Sequence, residues 1–402
     1  MATTTTSTAT TAVTSSGQYL HGPKNLQFES RPVSSLQPDE VQVAIRSTTL
    51  CGSDVHYYLH FRNGSIQARE PLCLGHESAG QVVNVGSNVS QSRPEINVGD
   101  RVALEVGVPC EDCDLCKSGQ YNICPSLRFR SSGSKFPHFQ GLLQEKVNHP
   151  VKWVHKLPDS LSFEIGALLE PLAVAIHAVK RVGPVWDASG HKSCLVFGAG
   201  AVGLLCAVAA QAAGCRKVVM ADIDEGRLKF ALDNGFANAV HVVAPKRGAT
   251  IEEKLEIARE TAGAVGALTW PDGEKIGRVQ TTFECSGVES CLQSSIYATQ
   301  SGGSVVLVGM GIPNHTLPIS DASHREVNLI TTWRYANAYP RAIEIATASV
   351  TGTSINGISL PNVSKLITHR FEGLDSVPVA FEAAGKTRDQ NGNLIVKTVV
   401  NT

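Results

Sequence analysis

Apolar and polar residues alternate near the beginning of the chain. The stretch Val41-Gln42-Val43-Ala44-Ile45-Arg46 follows a period of two, which is typical of a strand with one buried face. The pattern predicts strands over residues 18–28 and 40–48. The second half of the chain instead alternates short apolar runs with helical segments, and that order is typical of an α/β fold with a parallel sheet.

The apolar runs of the second half are rich in β-branched residues, as buried parallel strands usually are. Strands are predicted over residues 193–197, 217–221, 241–243, 281–285 and 305–309. Helices are predicted over residues 163–179 and 204–213.

A glycine-rich turn joins the strand at 193–197 to the helix that follows it. It reads Gly198-Ala199-Gly200-Ala201-Val202-Gly203, and in this context the pattern is typical of dinucleotide binding. The glycines let the backbone approach a pyrophosphate at the helix N-terminus. Asp222 ends the next strand and can accept a hydrogen bond from a ribose 2′-hydroxyl, which favours NAD over NADP. Arg227 fits a contact with the adenine, a contact with a 2′-phosphate or an ordinary surface position.

Four cysteines are closely spaced in the pattern Cys-x2-Cys-x2-Cys-x7-Cys: Cys110, Cys113, Cys116 and Cys124. Four thiolates repel one another unless a cation holds them, and a tetrahedral Zn²⁺ closed by four sulfurs is a structural site. An iron–sulfur centre is the alternative. The bacterial ferredoxin pattern, however, has three residues before its last cysteine and usually a second cluster.

A second group of possible metal ligands is spread along the chain. His76 and Glu77 begin an apolar stretch punctuated by glycines, which predicts a strand entering a crowded site. Cys51 begins the stretch Cys51-Gly52-Ser53-Asp54-Val55-His56-Tyr57. This stretch could supply a metal ligand, but it fits an ordinary turn equally well. Glu170 is the only acidic residue between Ile165 and Val179. A buried carboxylate is costly unless it is paired or bound to a metal, whereas a charge at a helix end could reach water.

Taken together, the motifs resemble the zinc-dependent medium-chain dehydrogenase/reductase family, and within it the sorbitol (polyol) dehydrogenase branch of fungal type. The resemblance rests on residues 51–57, residues 75–89, Glu170-Pro171 and Arg334-Tyr335. It covers residues 18–402. It implies an α/β fold with a GroES-like β-rich catalytic domain and a Rossmann coenzyme domain built on a doubly wound parallel sheet.

The domain boundaries also follow from the resemblance. Residues 18–187 would form the first part of the catalytic zinc domain, with a structural zinc lobe at 107–126. Residues 188–328 would form the NAD-binding domain, and residues 329–402 would return to the catalytic domain. Residues 1–17 are almost all Thr, Ala and Ser and are predicted to be a disordered tail. Residues 262–278 are interpreted as a long loop without an assigned role.

Individual roles are implied by the resemblance as well. The catalytic zinc would be held by Cys51, His76 and Glu170, with Glu77 as a neighbouring carboxylate or occasional ligand. The other expected roles are proton transfer for Ser53 and His56, substrate binding for Tyr57, Arg334 and Tyr335, and cofactor binding for Gly198, Gly200, Val202, Gly203, Asp222, Arg227, Val308 and Met310. The four clustered cysteines would hold a structural zinc, which makes two zinc ions per subunit together with NAD.

The activity that the resemblance implies is reversible oxidation of a sugar alcohol to a ketose with NAD⁺. Sorbitol is the first candidate, and xylitol, galactitol and L-arabinitol also fit. Three other interpretations stay open at this point: a dehydrogenase of simple alcohols, an NADPH-linked carbonyl reductase, and a zinc- and nucleotide-binding protein without catalysis.

Composition restricts the partners. The 402 residues carry a net charge of −1, so no strongly basic surface indicates nucleic-acid binding. No apolar run is long enough to suggest a membrane span. The 11 cysteines and the absence of an evident leader favour a reducing compartment, and we expect a cytoplasmic protein. The resemblance suggests a homotetramer with a contact near residues 305–308.

Overall fold

The structure, a computed structural model, describes residues 13–183 and 193–402. Within these ranges a β-rich part is built from both ends of the chain, and an α/β part lies between them. The expected boundary at 187/188 falls outside the described residues.

The first part of the chain is mostly short strands. They are β1 (Thr14–Gly22), β2 (Asn25–Pro32), β3 (Glu40–Thr49), β4 (Arg62–Asn63), β5 (Ile66–Gln67), β6 (Leu72–Cys73), β7 (Glu77–Val85), β8 (Arg101–Leu104), β9 (Gly107–Val108), β10 (Arg128–Phe129), β11 (Lys146–Pro150) and β12 (Val154–Lys156). The helices are α1 (Gly52–His60), α2 (Val89–Ser92), α3 (Asp114–Lys117) and α4 (Phe163–Arg181), with 3₁₀ turns at Tyr121–Ile123 and Val151–Trp153.

Strands and helices then alternate. The strands are β13 (Ser193–Phe197), β14 (Lys217–Asp222), β15 (Ala239–Val242), β16 (Val279–Glu284), β17 (Thr299–Leu307) and β18 (Asn328–Thr331). The helices are α5 (Ala201–Ala212), α6 (Glu225–Asp233), α7 (Ile251–Ala267), α8 (Glu289–Ala298) and α9 (Ile319–His324). The chain ends with α10 (Tyr339–Thr351), β19 (Ser354–Ile355), β20 (Ile358–Ser359), β21 (Ile367–Glu372), α11 (Val377–Ala384) and β22 (Lys397–Asn401), with 3₁₀ turns at Val363–Leu366 and Leu374–Ser376.

The β-rich part is organised around a seven-stranded sheet with the order β12-β8-β7-β3-β22-β21, in which β11 also pairs with β3. The period of two in β3 has the predicted effect, because Val41, Val43 and Ile45 all point into the core. Helix α4 packs on this sheet through its buried leucines. The C-terminal strand β22 pairs with β3, so the end of the chain lies beside the stretch that leads to Cys51.

The α/β part contains one six-stranded parallel sheet in the order β15-β14-β13-β16-β17-β18. The strand order reverses between β13 and β16, and ligands of such sheets bind at the carboxyl ends of the strands near this reversal. This arrangement confirms the predicted doubly wound Rossmann domain. Among the described helices none is both long enough and apolar enough to cross a membrane.

Two expectations about the start of the chain are wrong. Residues 14–17 are not part of a tail, because they open β1 and pair with residues 29–32 of β2. The single strand predicted over 18–28 is a hairpin that turns between Gly22 and Asn25. Thr and Ser residues support a strand when a neighbouring strand satisfies their backbone groups, which composition does not reveal.

Further differences concern the α/β part. Residues 262–267 belong to α7, and the rest of the expected loop folds into a small hairpin with Trp270 buried at its base. Strand β18 still belongs to the parallel sheet, so the return to the catalytic domain follows Thr331 rather than residue 328. The expected contact at 305–308 lies in β17, which is paired on both sides and offers no free edge.

Candidate functional site

Three possible metal ligands meet where α1 and β7 approach each other. Cys51 immediately precedes α1, and His76 immediately precedes β7, which begins with Glu77. One donor atom from each of these residues lies within 4.8 Å of the other two. The carboxylate of Glu170 lines the same cleft but is not within this distance of all three donors. A thiolate, an imidazole and a carboxylate form a donor set that suits catalytic zinc.

His76 is held in one orientation by Asp54. The Nδ1 atom of His76 lies 3.2 Å from Oδ1 of Asp54, which also accepts hydrogen bonds from the Gly75 amide at 3.2 Å and the Ser131 hydroxyl at 2.5 Å. Burial raises the pKa of Asp54, but His76 and these donors outweigh it and lower the pKa below its usual range. Nε2 of His76 is thereby left to face Cys51, the arrangement that metal-binding histidines commonly show.

Glu77 has a buried cationic partner from the far end of the chain. Nζ of Lys397 lies 2.8 Å from Oε1 of Glu77, and the Thr49 hydroxyl donates a hydrogen bond to Oε2. Lys397 is on β22, two strands from β7, and its side chain is only 5% exposed. Because Lys397 already compensates this carboxylate, Glu77 is less available to a metal than its position alone suggests.

Glu170 lies inside α4 and is 4% exposed. Burial and the neighbouring Glu77 carboxylate raise the pKa of Glu170, whereas His76 and Lys397 lower it. The net result is a pKa of about 7. The neighbouring Tyr335 hydroxyl is buried and has no hydrogen bond of good geometry within the described chain. A buried carboxyl group beside His76 and Glu77 fits a site that a bound cation would complete.

The cleft above these groups has a volume of about 170 Å³. The predicted cofactor contacts Val202, Val308 and Met310 line it, and so do Tyr57 and Arg334. Tyr335 lies behind it, buried beside Glu170. The predicted metal, cofactor and substrate residues therefore converge at the end of the parallel sheet where its strand order reverses.

The predicted substrate residues are fixed by contacts of different kinds. The guanidinium of Arg334 lies over the Phe129 ring, 3.6 Å from its centroid, and burial lowers the pKa of Arg334 to about 10. The Tyr57 hydroxyl accepts a hydrogen bond from the Gly133 amide at 2.9 Å. Arg334 thus presents a charged donor group to the cleft, and Tyr57 retains its own hydroxyl hydrogen for a ligand.

The predicted proton path is only partly formed. Oγ of Ser53 lies 3.5 Å from Nε2 of His76, beside the metal donors. His56 follows one turn later on α1, and it is exposed. Its ring centroid lies 6.2 Å from that of His60. The structure therefore brings Ser53 into the site and leaves His56 at the surface.

The glycine-rich turn leaves room for a pyrophosphate at the start of α5. Gly198 has a φ of +95°, and a Cβ at Gly203 would lie 1.9 Å from the Gly198 carbonyl oxygen, so both positions need glycine. A Cβ at Gly200 would meet nothing within 4 Å, which is the open space that a phosphate requires. The turn therefore fits the dinucleotide.

Asp222, the predicted ribose contact, lies at the end of β14. Its Oδ2 accepts a hydrogen bond from the Ala199 amide at 2.6 Å, and its Oδ1 accepts one from the Asp224 amide at 2.8 Å. The carboxylate thus connects the end of β14 to the glycine-rich turn. Arg227 lies on α6 nearby, and its Nε is buried without a hydrogen bond in the described parts of the chain, which fits a missing adenosine partner.

The four clustered cysteines form a separate centre. Neighbouring sulfur atoms lie 3.9 Å apart for Cys110 and Cys116, 3.5 Å for Cys113 and Cys116, 3.8 Å for Cys113 and Cys124, and 3.5 Å for Cys124 and Cys110. A tetrahedral zinc with Zn–S bonds of about 2.3 Å places its sulfurs about 3.8 Å apart. Since a cluster of several irons needs more space between its cysteines, the geometry favours a single tetrahedral ion.

Three residues that shape the site were missed by sequence reasoning. Asp54 stands within the motif around Cys51 and was given no role, although a carboxylate three residues after a metal ligand was a usable signal. Lys397 is 320 positions from Glu77, and nothing in its neighbourhood indicates their pairing. Phe129 supports Arg334, but its stretch of the sequence fits a substrate mouth as well as core packing, so no role was assigned to it.

Comparisons with known proteins agree with this geometry. Residues 37–159 match the alcohol dehydrogenase GroES-like domain, and residues 201–348 match the zinc-binding dehydrogenase family. Sorbitol dehydrogenase of Bos taurus is 39% identical over 91% of this chain and 92% of its own length. The Homo sapiens enzyme of the same name has the same identity and coverage. L-idonate 5-dehydrogenase of Escherichia coli shares the fold, with a TM-score of 0.79 at 23% identity over 97% of this chain and 99% of its own.

Proposed function

Because the chain belongs to the zinc-dependent medium-chain dehydrogenase/reductase family, in the sorbitol dehydrogenase branch, we propose that it oxidises a sugar alcohol to a ketose with NAD⁺. Sorbitol is the first candidate substrate because it is named for relatives that align over nine tenths of the chain. The fungal type indicated by the sequence motifs stays a prediction.

One observation carries the proposal. The metal-ligand candidates Cys51, His76, Glu77 and Glu170 line the same cleft as Val202, Val308 and Met310 from the coenzyme domain. A hydride can pass from an alcohol to a nicotinamide only if the two are held next to each other. The residues that would bind the alcohol and those that would bind the nicotinamide must therefore line the same cleft. A protein that bound zinc and nucleotide for separate structural purposes would not need this convergence.

The donor chemistry supports Cys51, His76 and one carboxylate as the residues that would hold the metal. Cys51 and His76 supply the thiolate and the imidazole, and Glu170 or Glu77 supplies the carboxylate. A zinc ion bound there supplies a Lewis acid that lowers the pKa of the substrate hydroxyl, and NAD⁺ supplies the hydride acceptor. Three protein donors would leave one position open for the substrate oxygen.

The chain itself orients the polyol and removes its proton. Arg334 and Tyr57 offer hydrogen-bond donors at the cleft wall, which suits a ligand with several hydroxyl groups. Ser53 is near enough to His76 to accept the hydroxyl proton and pass it outward, and the exposed position of His56 on the same helix suits the last transfer to water. Binding these remote hydroxyls fixes the reacting carbon against the nicotinamide.

NAD is the proposed cofactor rather than NADP. Both oxygens of Asp222 accept backbone hydrogen bonds, so the carboxylate is held at the ribose position. A fixed negative charge there repels a 2′-phosphate, while its remaining lone pairs can accept hydrogen bonds from ribose hydroxyls. Arg227 lies on α6, which follows Asp222 in the chain, and it would stack near the adenine.

The test is NADH formation by the zinc-loaded protein with sorbitol, xylitol, galactitol, L-arabinitol and ethanol in parallel. We expect polyols to be oxidised with a higher kcat/KM than ethanol, and NAD⁺ to be preferred to NADP⁺. A preference for ethanol would overturn the choice of substrate class. NAD⁺ binding without turnover of any alcohol would overturn the enzymatic proposal itself.

We further propose that the protein is a cytoplasmic homotetramer without nucleic-acid or membrane partners. The cysteines support a reducing compartment, because five of them belong to candidate metal sites and bind a metal only as reduced thiolates. Strand β18 forms an edge of the parallel sheet and is a more suitable subunit contact than the interior strand β17. Light scattering of the purified protein measures the assembly, and a monomeric mass would contradict it.

A further inference from the structure

We propose that Asn122 and Tyr121, which lie between the third and fourth cysteine of the four-cysteine site, are positioning residues that hold Arg334 in its polyol-binding orientation. The cysteine lobe, residues 107–126, would then set the affinity for substrate in addition to stabilising the fold. This inference rests on the proposed function, and it concerns the substrate segment, residues 333–337.

Hydrogen bonds join the lobe to both ends of the substrate segment. The Asn122 side-chain amide donates to the Trp333 carbonyl oxygen at 2.8 Å. The Asn337 amide donates to the Tyr121 hydroxyl at 2.7 Å, and the Asn337 side chain donates to the Gly119 carbonyl at 2.9 Å. Arg334 lies between these anchored ends.

The backbone of the segment explains why it needs anchors. Arg334 has a φ of +50° and Asn337 a φ of +55°. The left-handed region is unfavourable for residues other than glycine, although Asn tolerates it better than Arg. A segment with two such residues keeps its shape only when surrounding contacts determine it. The lobe supplies these contacts on one side, and the Phe129 ring beneath Arg334 supplies them on the other.

Apolar packing and a polar network reinforce the connection. Tyr121, Trp153 and Ala336 form a small buried cluster with Val108 and Cys116 of the lobe. The Tyr121 hydroxyl donates to the buried Glu105 carboxylate at 2.6 Å, so the oxygen that receives the Asn337 amide is itself fixed. A change in the conformation of the lobe would therefore alter the position of Arg334, because packed and hydrogen-bonded groups connect the two.

The position of these residues ties them to the metal of the lobe. Tyr121 and Asn122 belong to the 3₁₀ turn that ends one residue before Cys124. A tetrahedral ion that fixes Cys116 and Cys124 fixes this turn from both sides. The structure thus assigns a substrate-binding consequence to a centre whose cysteines do not line the substrate cleft.

The closing experiment compares three variants. Asn122→Asp keeps the shape of the side chain and loses the donor to Trp333. Tyr121→Phe removes the hydroxyl that receives the Asn337 amide. Ile123→Ala is the matched control, because Ile123 lies between Asn122 and Cys124 but is 44% exposed. Each variant is measured for zinc content, for the KM of sorbitol and of NAD⁺, for kcat, and for hydrogen exchange of a peptide spanning residues 332–338.

We expect Asn122→Asp and Tyr121→Phe to raise the KM of sorbitol about tenfold, the effect of one lost hydrogen bond. The kcat, the KM of NAD⁺ and the content of two zinc ions should stay near the unmodified values, and exchange over 332–338 should become faster. Ile123→Ala should change none of these. A purely structural role predicts instead a lower unfolding temperature with an unchanged KM of sorbitol, and that result would overturn the inference.

The failure of this inference is distinguishable from failure of the proposed function. If the unmodified protein oxidises no polyol, the proposed function is wrong, and hydrogen exchange still reports whether the lobe holds the segment. Unchanged exchange in both variants refutes positioning whatever the activity. If Asn122→Asp does not fold, Tyr121→Phe decides the question with the same measurements.

Discussion

The two metal-ligand centres differ in how their donors are distributed along the chain and in what surrounds them. The four cysteines come from one lobe, and their sulfurs already stand at tetrahedral distances. The cluster of Cys51, His76 and Glu77, with Glu170 nearby, draws on α1, β7 and α4, and it opens into the cofactor cleft. A closed set of four sulfurs leaves no position for a substrate, whereas three mixed donors leave one.

This contrast indicates that the closed centre stabilises the fold and the open cluster carries the chemistry. The closed centre holds the loop of the lobe together and, by our inference, also holds the substrate segment. The open cluster is surrounded by groups that orient or compensate its donors, such as Asp54 beside His76 and Lys397 beside Glu77. A metal site that binds and releases a substrate has fewer protein donors than the metal needs. Its donors must therefore be held in place by neighbouring groups.

The largest expected effect comes from removing a donor of the open cluster. Cys51→Ser should lower kcat/KM about 10³-fold, since Lewis-acid stabilisation supplies several kcal/mol and about 1.4 kcal/mol corresponds to a factor of ten. The unfolding temperature should change little. Steady-state kinetics and zinc analysis measure the effect, and Cys291→Ser, outside both centres, is the control. Retained turnover would exclude Cys51 from the site.

The two carboxylates offer a matched pair of variants. Glu170→Gln should lower kcat/KM by about 100-fold, at the upper end of what changes beside a metal usually cost. Glu77→Gln should have a smaller effect, because Lys397 and Thr49 already engage that carboxylate. Zinc content measured with activity decides which carboxylate binds the metal. The reverse order of effects would identify Glu77 as the third ligand.

A smaller effect is expected from the residue that orients His76. Asp54→Asn keeps the shape but removes the charge that attracts the imidazole, and it should lower zinc affinity or activity by about tenfold. Competition with a chelator measures the affinity. If affinity and activity are both unchanged, the hydrogen bond between Asp54 and His76 has no role in the metal site.

The smallest effect on chemistry is predicted for the closed centre. Cys113→Ser should lower the unfolding temperature by about 5–10 °C, because metal binding contributes folding free energy. The kcat at saturating sorbitol should persist, while the KM of sorbitol rises as the lobe loosens. Thermal unfolding followed beside kinetics separates the two. Loss of kcat in a folded variant would remove the distinction between the two centres.

The same contrast explains what the sequence could and could not predict. The lobe and the glycine-rich turn are local patterns, so spacing alone indicated their chemistry, and the parallel sheet followed from the alternation of strands and helices. The pairing of Glu77 with Lys397 depends on β22 lying beside β3, which no local pattern indicates. The start of β1 was misjudged because a Thr- and Ser-rich stretch acquires structure only through its partner strand.

Boundaries and loops show the same limit. Residues 262–267 continue α7 because the helix buries Ala262 and Val265, although the glycines there favoured a loop. The contribution of Asn122 to the substrate segment depends on a contact across 211 positions. Such contacts are set by packing of distant segments, and composition or periodicity carries no information about them.

The central claim is tested most directly by following NADH formation from sorbitol while zinc is removed with a chelator and then returned. We predict that turnover disappears as zinc leaves the open cluster and returns when that site is refilled, while the ion of the closed lobe governs the unfolding temperature. Turnover that persists in the folded, metal-free protein would contradict this account. So would the absence of turnover with every polyol when both centres are filled.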